Sequence, residues 1–163
     1  MRHIISVLVR NHPGVLSHVV GLFTRRSYNI ESLAAGVTED PEITRLTIVV
    51  GGDDLVLDQV MKQVNKLVDV LKVTDLKYDQ AIARELAIIT VNTTLYTRGS
   101  VIEIANVFGS KIVDMSEDTI TLELSGTEKV LQNLLRLLTP FGISEMARTG
   151  IIALAMKSSE SDR

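Results

Sequence analysis

Hydrophobic positions recur along this chain with two periods, and the two alternate in a fixed order. Ile4 to Val9 is a short apolar run of the kind a buried strand needs. Val15, Leu16, Val19, Val20, Leu22 and Phe23 follow on one side of a 3.6-residue repeat. Such a helix needs a sheet beneath it. A second strand is predicted from Asn29 to about Val37, the Glu39-Asp40-Pro41-Glu42 turn reverses the chain, and a third strand alternates as Thr44, Leu46, Ile48 and Val50. Gly51-Gly52-Asp53-Asp54 ends that strand and supplies a cap for a second helix carrying Leu57, Val60, Met61, Val64 and Leu67, before a β-branched strand from Val68 to Val73.

The order then repeats. Leu86 to Val91 reads as a strand, and Val101, Ile104, Ala105 and Phe108 as a helix stopped by Gly109. Lys111 to Met115 and Thr119 to Leu124 form a hairpin, and in its second strand Ile120, Leu122 and Leu124 alternate with Thr121 and Glu123, the pattern of a sheet buried on one face by its own helices. Thr127 can cap a last helix bearing Val130, Leu131, Leu134, Leu135 and Leu138. Pro140-Phe141-Gly142 ends it, and Ile143 to Met156 supplies the closing strand.

Strand, helix, strand, strand, helix, strand, twice over, predicts an α+β chain of two ferredoxin-like βαββαβ sandwiches in tandem, over 1–77 and 82–157, with the boundary near Tyr78-Asp79-Gln80-Ala81 and a frayed tail at 158–163. In that topology each sheet has one face under its helices and one bare, and the second strand lies at an edge. Here that edge reads Ile30-Glu31-Ser32-Leu33-Ala34-Ala35-Gly36-Val37, with no lysine, no proline and one charge. An unguarded edge invites pairing with its own copy, so a homodimer is expected.

Composition narrows the class. At 163 residues and 45% apolar content the chain can fill one medium core or two small ones, so size alone leaves the domain count open. A net charge of −3 with both signs interspersed argues against a polyanion or an acidic membrane surface as partner. The absence of cysteine removes disulfides and thiolate metal sites, and the polar start with no signal peptide fits a cytoplasmic protein. Apolar stretches such as Leu86 to Val91 fall far short of the roughly 20 residues that span a membrane.

Candidate chemistry concentrates at two places. In Asn11-His12-Pro13-Gly14-Val15-Leu16, Pro13 presets φ for a first helical turn and Gly14 leaves the turn's N–H groups uncovered, so an anion can approach without meeting a Cβ. Backbone donors of Gly14, Val15 and Leu16, with the helix dipole behind them, suit a carboxylate. Asn29 offers both a donor and an acceptor to the two ends of a free amino acid, and Val9, Leu16 and Ile30 suit a short aliphatic side chain. Other groups are weaker candidates. His3, His12 and His18 lack metal-ligand spacing, Asp53-Asp54 reads as a cap, and Arg25-Arg26 as a solvated helix end. Gly109-Ser110-Lys111 lacks the upstream glycine of a phosphate loop, and no serine sits in a nucleophile elbow.

With these segments in view, the chain resembles the regulatory (small) subunit of acetohydroxyacid synthase, also called acetolactate synthase, and its first unit resembles an ACT domain. The resemblance continues through Asp40-Pro41, Arg45-Leu46-Thr47-Ile48, Asn65-Lys66-Leu67-Val68-Asp69-Val70, Arg84-Glu85-Leu86 and Ala147-Arg148-Thr149-Gly150. It departs at Ser27, where a glycine commonly precedes Tyr-Asn-Ile. The resemblance implies a non-catalytic partner that activates a thiamine-diphosphate-dependent catalytic subunit and makes it sensitive to feedback inhibition by valine. It implies no cofactor in this chain, thiamine diphosphate, Mg and FAD belonging to the catalytic subunit. It also places the ligand between two protomers, against Asn11 and Gly14 to Leu16 of one and Asn29 and Ile30 of the other. Two other readings compete: an ACT-type sensor serving a different biosynthetic enzyme, and an RNA-recognition module of the same topology. The second needs aromatics on its open sheet face, and Ile43 to Val50 and Thr119 to Ser125 contain none. An enzyme in its own right would betray itself by turnover without the large subunit, and none is expected.

Overall fold

In the computed structural model, which describes residues 1–159, β1 (Arg2–Arg10) lies inside a four-stranded antiparallel sheet of order β2-β3-β1-β4. The other strands are β2 (Ile30–Val37), β3 (Ile43–Gly51) and β4 (Val70–Leu76). The central position explains why Ile4 to Val9 is an apolar run: Ile5, Val7 and Val9 enter the core under the helices, while Ile4 and Ser6, on the other face, are also buried. Helices α1 (Val15–Arg25) and α2 (Asp54–Asn65) close that core with Val15, Val19, Leu22, Phe23, Leu57, Val60 and Val64. Asp53 caps α2 as expected, its carboxylate accepting from Val56 N at 2.9 Å. Leu16, by contrast, is 43% exposed and Val20 half-buried, so α1 buries a narrower stripe than its composition suggests.

Two expectations about this unit need correction. Val68 does not begin the fourth strand. It is 92% exposed in a turn closed by Val70 N donating to Leu67 O, and the strand runs from Val70 to Leu76 instead. Nor is the outer sheet face bare. After β5 (Ala81–Asn92) has begun, the chain later returns as β9 (Ile152–Ala155), which pairs with β5. Ala81, Ile151 and Ala153 then pack on Ile4, Val49 and Leu76. Two of the three covering residues are alanines, which lets this ribbon lie close to the sheet. The expected single closing strand from Ile143 to Met156 is therefore two strands, β8 (Ile143–Arg148) and β9, broken at Gly150, whose φ of +77° an ordinary residue would resist.

Ser27 has a φ of 57° and is the single non-glycine residue with positive φ among those described. Its left-handed backbone lets the chain leave α1 and enter β2. Ser27→Gly is expected to relieve about 1 kcal/mol of strain, seen as a thermal midpoint raised by about 2–4 °C. An unchanged or lowered midpoint would contradict that strain.

Packing divides the described residues into two units, Met1–Ala83 with 151–159, and Arg84–Gly150. The second is built on a five-stranded sheet ordered β6-β7-β5-β8, with β9 also paired to β5, and β6 (Lys111–Met115) and β7 (Thr119–Gly126) form the expected hairpin. Ala87, Ile89 and Val91 of β5 and Ile120, Leu122 and Leu124 of β7 face α3 (Arg98–Val107) and α4 (Glu128–Leu138). Thr127 caps α4, and Gly109, at φ +67°, follows the end of α3. Residues 157–159 form a 3-10 turn; the rest of the expected tail, 160–163, lies outside the described residues.

Candidate amino-acid site

The turn between β1 and α1 is built by hydrogen bonds to its neighbours. Arg10 N donates to Asp69 O at 2.9 Å, Asn11 N to Glu42 O at 2.8 Å, and His12 N to Arg10 O at 2.9 Å. The Asn11 side chain is occupied as well: its Nδ2 donates to Pro41 O at 2.9 Å and its Oδ1 accepts from Thr44 Oγ1 at 3.2 Å. Asn11 thus pins the glycine turn to the hairpin turn between β2 and β3, with one amide hydrogen and one carbonyl lone pair left over. This supporting role was not foreseen.

Gly14 caps α1 with φ 87°, and no heavy atom lies within 4 Å of where its Cβ would stand. Val15 N reaches His12 O only at 3.4 Å, while the N–H groups of Gly14, Leu16 and Ser17 meet no acceptor among the described residues. No acidic residue sits in the first turn to compete for them. The helix entry is an open set of donors with a favourable dipole behind it. In the second unit the matching entry is closed by its own loop. Thr94 Oγ1 accepts from Tyr96 N and Thr97 N, both at 3.2 Å, and Thr94 O accepts from Arg98 N at 2.9 Å.

The other candidates divide into those that face outward and those already used. Asn29 is exposed and its side chain meets no hydrogen-bond partner among the described residues. Leu16 is free on the outer side of α1, and Ile30 is half-buried against the core. Val9 on β1 and Val15 on α1, at 2% and 4% exposure, are packed into the core between sheet and helices and can form at most the floor of a pocket. The register keeps the two halves of the set apart. Ile30 pairs with Val50, which pairs with His3, whereas the glycine turn follows Arg10, opposite Ile43. Seven residues of strand separate these levels, roughly 23 Å. One chain alone cannot bring Asn29 to Gly14.

Among the described residues there is no group of three or more His, Cys, Asp or Glu placed to hold a metal, and no helix long and apolar enough to cross a membrane. His3 Nε2 lies 3.1 Å from Gly52 O and His12 Nδ1 3.8 Å from Asp69, each a local contact.

A βαββαβ unit with an open glycine turn and its second strand at the sheet edge has the arrangement of an ACT regulatory domain. Family models sharpen this: residues 5–72 match the AHAS small subunit-like ACT domain, and residues 84–157 match the small subunit of acetolactate synthase. The acetolactate synthase small subunit of Mycolicibacterium smegmatis is 46% identical over 153 residues, covering 94% of this chain and 90% of that one. That of Aquifex aeolicus is 46% identical over 159 residues, covering 97% and 83%. The crystal structure of the acetolactate synthase small subunit from Thermotoga maritima superposes with a TM-score of 0.88 at 36% identity, covering 96% of this chain and 98% of that one. The chain belongs to the acetolactate synthase small-subunit family.

Proposed function

We propose that this chain is the regulatory partner of a catalytic acetolactate synthase subunit, that it raises that subunit's activity, and that two copies jointly bind valine to make the enzyme feedback-sensitive. The observation that carries the reading is the separation of the two candidate halves to opposite ends of one sheet in which β2 is an edge strand. Antiparallel pairing of β2 with its copy about a two-fold axis sets Ile30 of one chain beside Val37 of the other, the end of the sheet where the other chain's glycine turn lies. Both half-sites then meet twice, once at each end of the seam. Thiamine diphosphate chemistry belongs to the large subunit; this chain contributes binding.

At each such seam the open N–H groups of Gly14, Leu16 and Ser17 take the ligand's carboxylate. Asn29 of the other copy bridges carboxylate and ammonium, and Leu16 and Ile30 enclose the isopropyl group. Two or three charge-assisted hydrogen bonds at roughly 1.5–3 kcal/mol each, with roughly 1.5–3 kcal/mol for the buried side chain, offset by ligand immobilisation, give micromolar to millimolar affinity. Leucine and isoleucine differ from valine by one methylene, worth roughly 1–3 kcal/mol.

The direct test is calorimetric titration of valine, leucine and isoleucine into the isolated chain, with sedimentation in parallel. Valine binding accompanied by tighter dimerisation is expected, because a ligand held by both copies stabilises the dimer by mass action. A chain that stays monomeric and takes up no valine would end this reading. Asn29→Ala removes the bridging amide and should weaken valine inhibition about 10-fold, the worth of one charge-assisted hydrogen bond, while activation of the large subunit stays near its parent level. Equal loss of inhibition and activation would contradict separate surfaces for the two.

A further inference from the structure

We propose that Ser32 is the positioning residue through which occupation of the ligand strand reaches the second unit, by its hydrogen bond to the chain at the point where it returns from that unit. The proposal rests on the assignment of Asn29 and Ile30 to the ligand. Its starting point is a register shift. Ile30 pairs with Val50 but Ser32 pairs with Val49, so an extra residue, Glu31, bulges out of β2 and is held by an ion pair with Arg2. The bulge reverses the alternation of the strand. Ile30 and Leu33 both turn to the core under the helices, and Ser32 shares a face with Val49 under the returning ribbon.

There Ser32 Oγ accepts from Ile151 N at 3.2 Å. Ile151 is buried with Ile4, Val49 and Ala81, so its side chain rides on the same sheet face as Ser32. The residues just before it belong to the second unit and are clamped in turn. Thr149 N donates to Leu86 O at 3.0 Å, Leu86 N donates to Thr149 Oγ1 at 3.1 Å, and the Arg148 guanidinium donates twice to Glu85, at 2.8 and 2.9 Å. The Glu85 side chain is only 3% exposed, which makes this bidentate pair one that is costly to break. The outgoing and returning strands, which carry the chain across the unit boundary at 83/84 and 150/151, are therefore tied to each other within two residues of the crossing.

A shift of Asn29 and Ile30 toward a ligand moves Ser32, two residues beyond Ile30 on the same strand, and with it Ile151. Two residues before Ile151 the chain is held to Leu86 and Glu85, so a displacement of Ile151 passes along the backbone into a paired stretch of the second unit. Valine then acts by favouring the arrangement in which this bond is intact, which is the differential affinity that any coupling requires.

The test uses the full chain assembled with its large subunit. Ser32→Ala is expected to bind valine, by calorimetry, within about twofold of the parent and to activate fully. It should need about fivefold more valine for half-inhibition, a change within the usual span of coupling factors. Ser32→Thr, which keeps the hydroxyl acceptor, should return that concentration to within about twofold of the parent. Inhibition of Ser32→Ala at the parent's valine concentration would overturn the proposal. So would loss of valine binding in that variant, which would place Ser32 in the pocket, or a threonine variant as insensitive as the alanine one. If the parent itself binds no valine, the ligand assignment fails first and takes this proposal with it; a parent that binds while Ser32→Ala behaves identically sinks the relay alone.

Discussion

Gly14→Asp is expected to abolish the response to valine while leaving a folded, activating dimer. The backbone at Gly14 has φ 87° and ψ −12°, a left-handed conformation that aspartate tolerates better than most side chains, at a cost of about 1 kcal/mol. The space for its Cβ is empty to 4 Å, so nothing must move to admit it. The new carboxylate stands at the mouth of the donor set formed by Leu16 and Ser17 N–H. It competes for those groups and repels the ligand's own carboxylate by roughly 4 kcal/mol at 4 Å and an effective dielectric near 20. A fall in valine affinity of at least about 100-fold is expected, read by calorimetry and by inhibition of the assembled enzyme. A variant that stays fully valine-sensitive would show that the carboxylate binds elsewhere.

The alternation of apolar periods made the two βαββαβ units and the cap of each second helix legible, because each depends on a local rule: a 3.6-residue stripe, a two-residue alternation, an aspartate or threonine before a helix. What escaped depended on long-range events. The short β9 strand Ile152-Ala153-Leu154-Ala155 looks like the continuation of β8, and only Gly150 between them hints at a break. That this strand pairs with β5 and also brings Ala81, Ile151 and Ala153 onto Ile4 and Val49 is decided by tertiary packing. The bulge at Glu31 left a readable trace: Ile30 and Leu33 are three apart, an odd spacing that cannot put both on one face of a regular strand.

The candidate site divides in the same way. The open approach at Gly14 follows from its missing Cβ, but the expectation that Pro13 presets the first helical turn does not hold: α1 starts at Val15, and Gly14 precedes it as a left-handed cap at φ 87°. The role of Asn11 does not follow from its residue type. Amide side chains in a turn serve ligands and neighbouring carbonyls equally well, and only the arrival of the hairpin turn, with Pro41 O and Thr44 Oγ1, assigns this one to scaffolding. Val9 is a parallel case, apolar and adjacent to the turn yet turned into the core. The separation of Asn29 from Gly14 along the sheet is a consequence of register, which periodicity alone does not reveal. It is also what makes a second copy necessary to the proposed pocket.

Ala35→Glu combined with Val37→Glu should therefore remove valine binding by a route unrelated to the pocket's chemistry. Both residues are exposed on the edge strand, near the end that would meet the partner's Ile30, so the substitutions leave the core of one chain untouched. In a β2–β2 seam they bring four new carboxylates to one interface, where like-charge juxtaposition costs several kcal/mol and the edge loses the uncharged surface that pairing requires. Sedimentation should find monomers at concentrations where the parent dimerises, and calorimetry should find no valine heat, although Gly14, Leu16 and Asn29 are all intact. The contrast with Gly14→Asp separates two causes of one phenotype: that variant remains a dimer with a blocked pocket, and this one has whole half-sites that never meet. Raising ionic strength toward 1 M shortens the screening length to about 3 Å and should partly restore both dimer and valine binding in the edge variant, with no effect of that kind on a blocked pocket. A monomeric edge variant that still bound valine with parental affinity would place the whole pocket within a single chain, which the register of β1, β2 and β3 forbids for this set of residues.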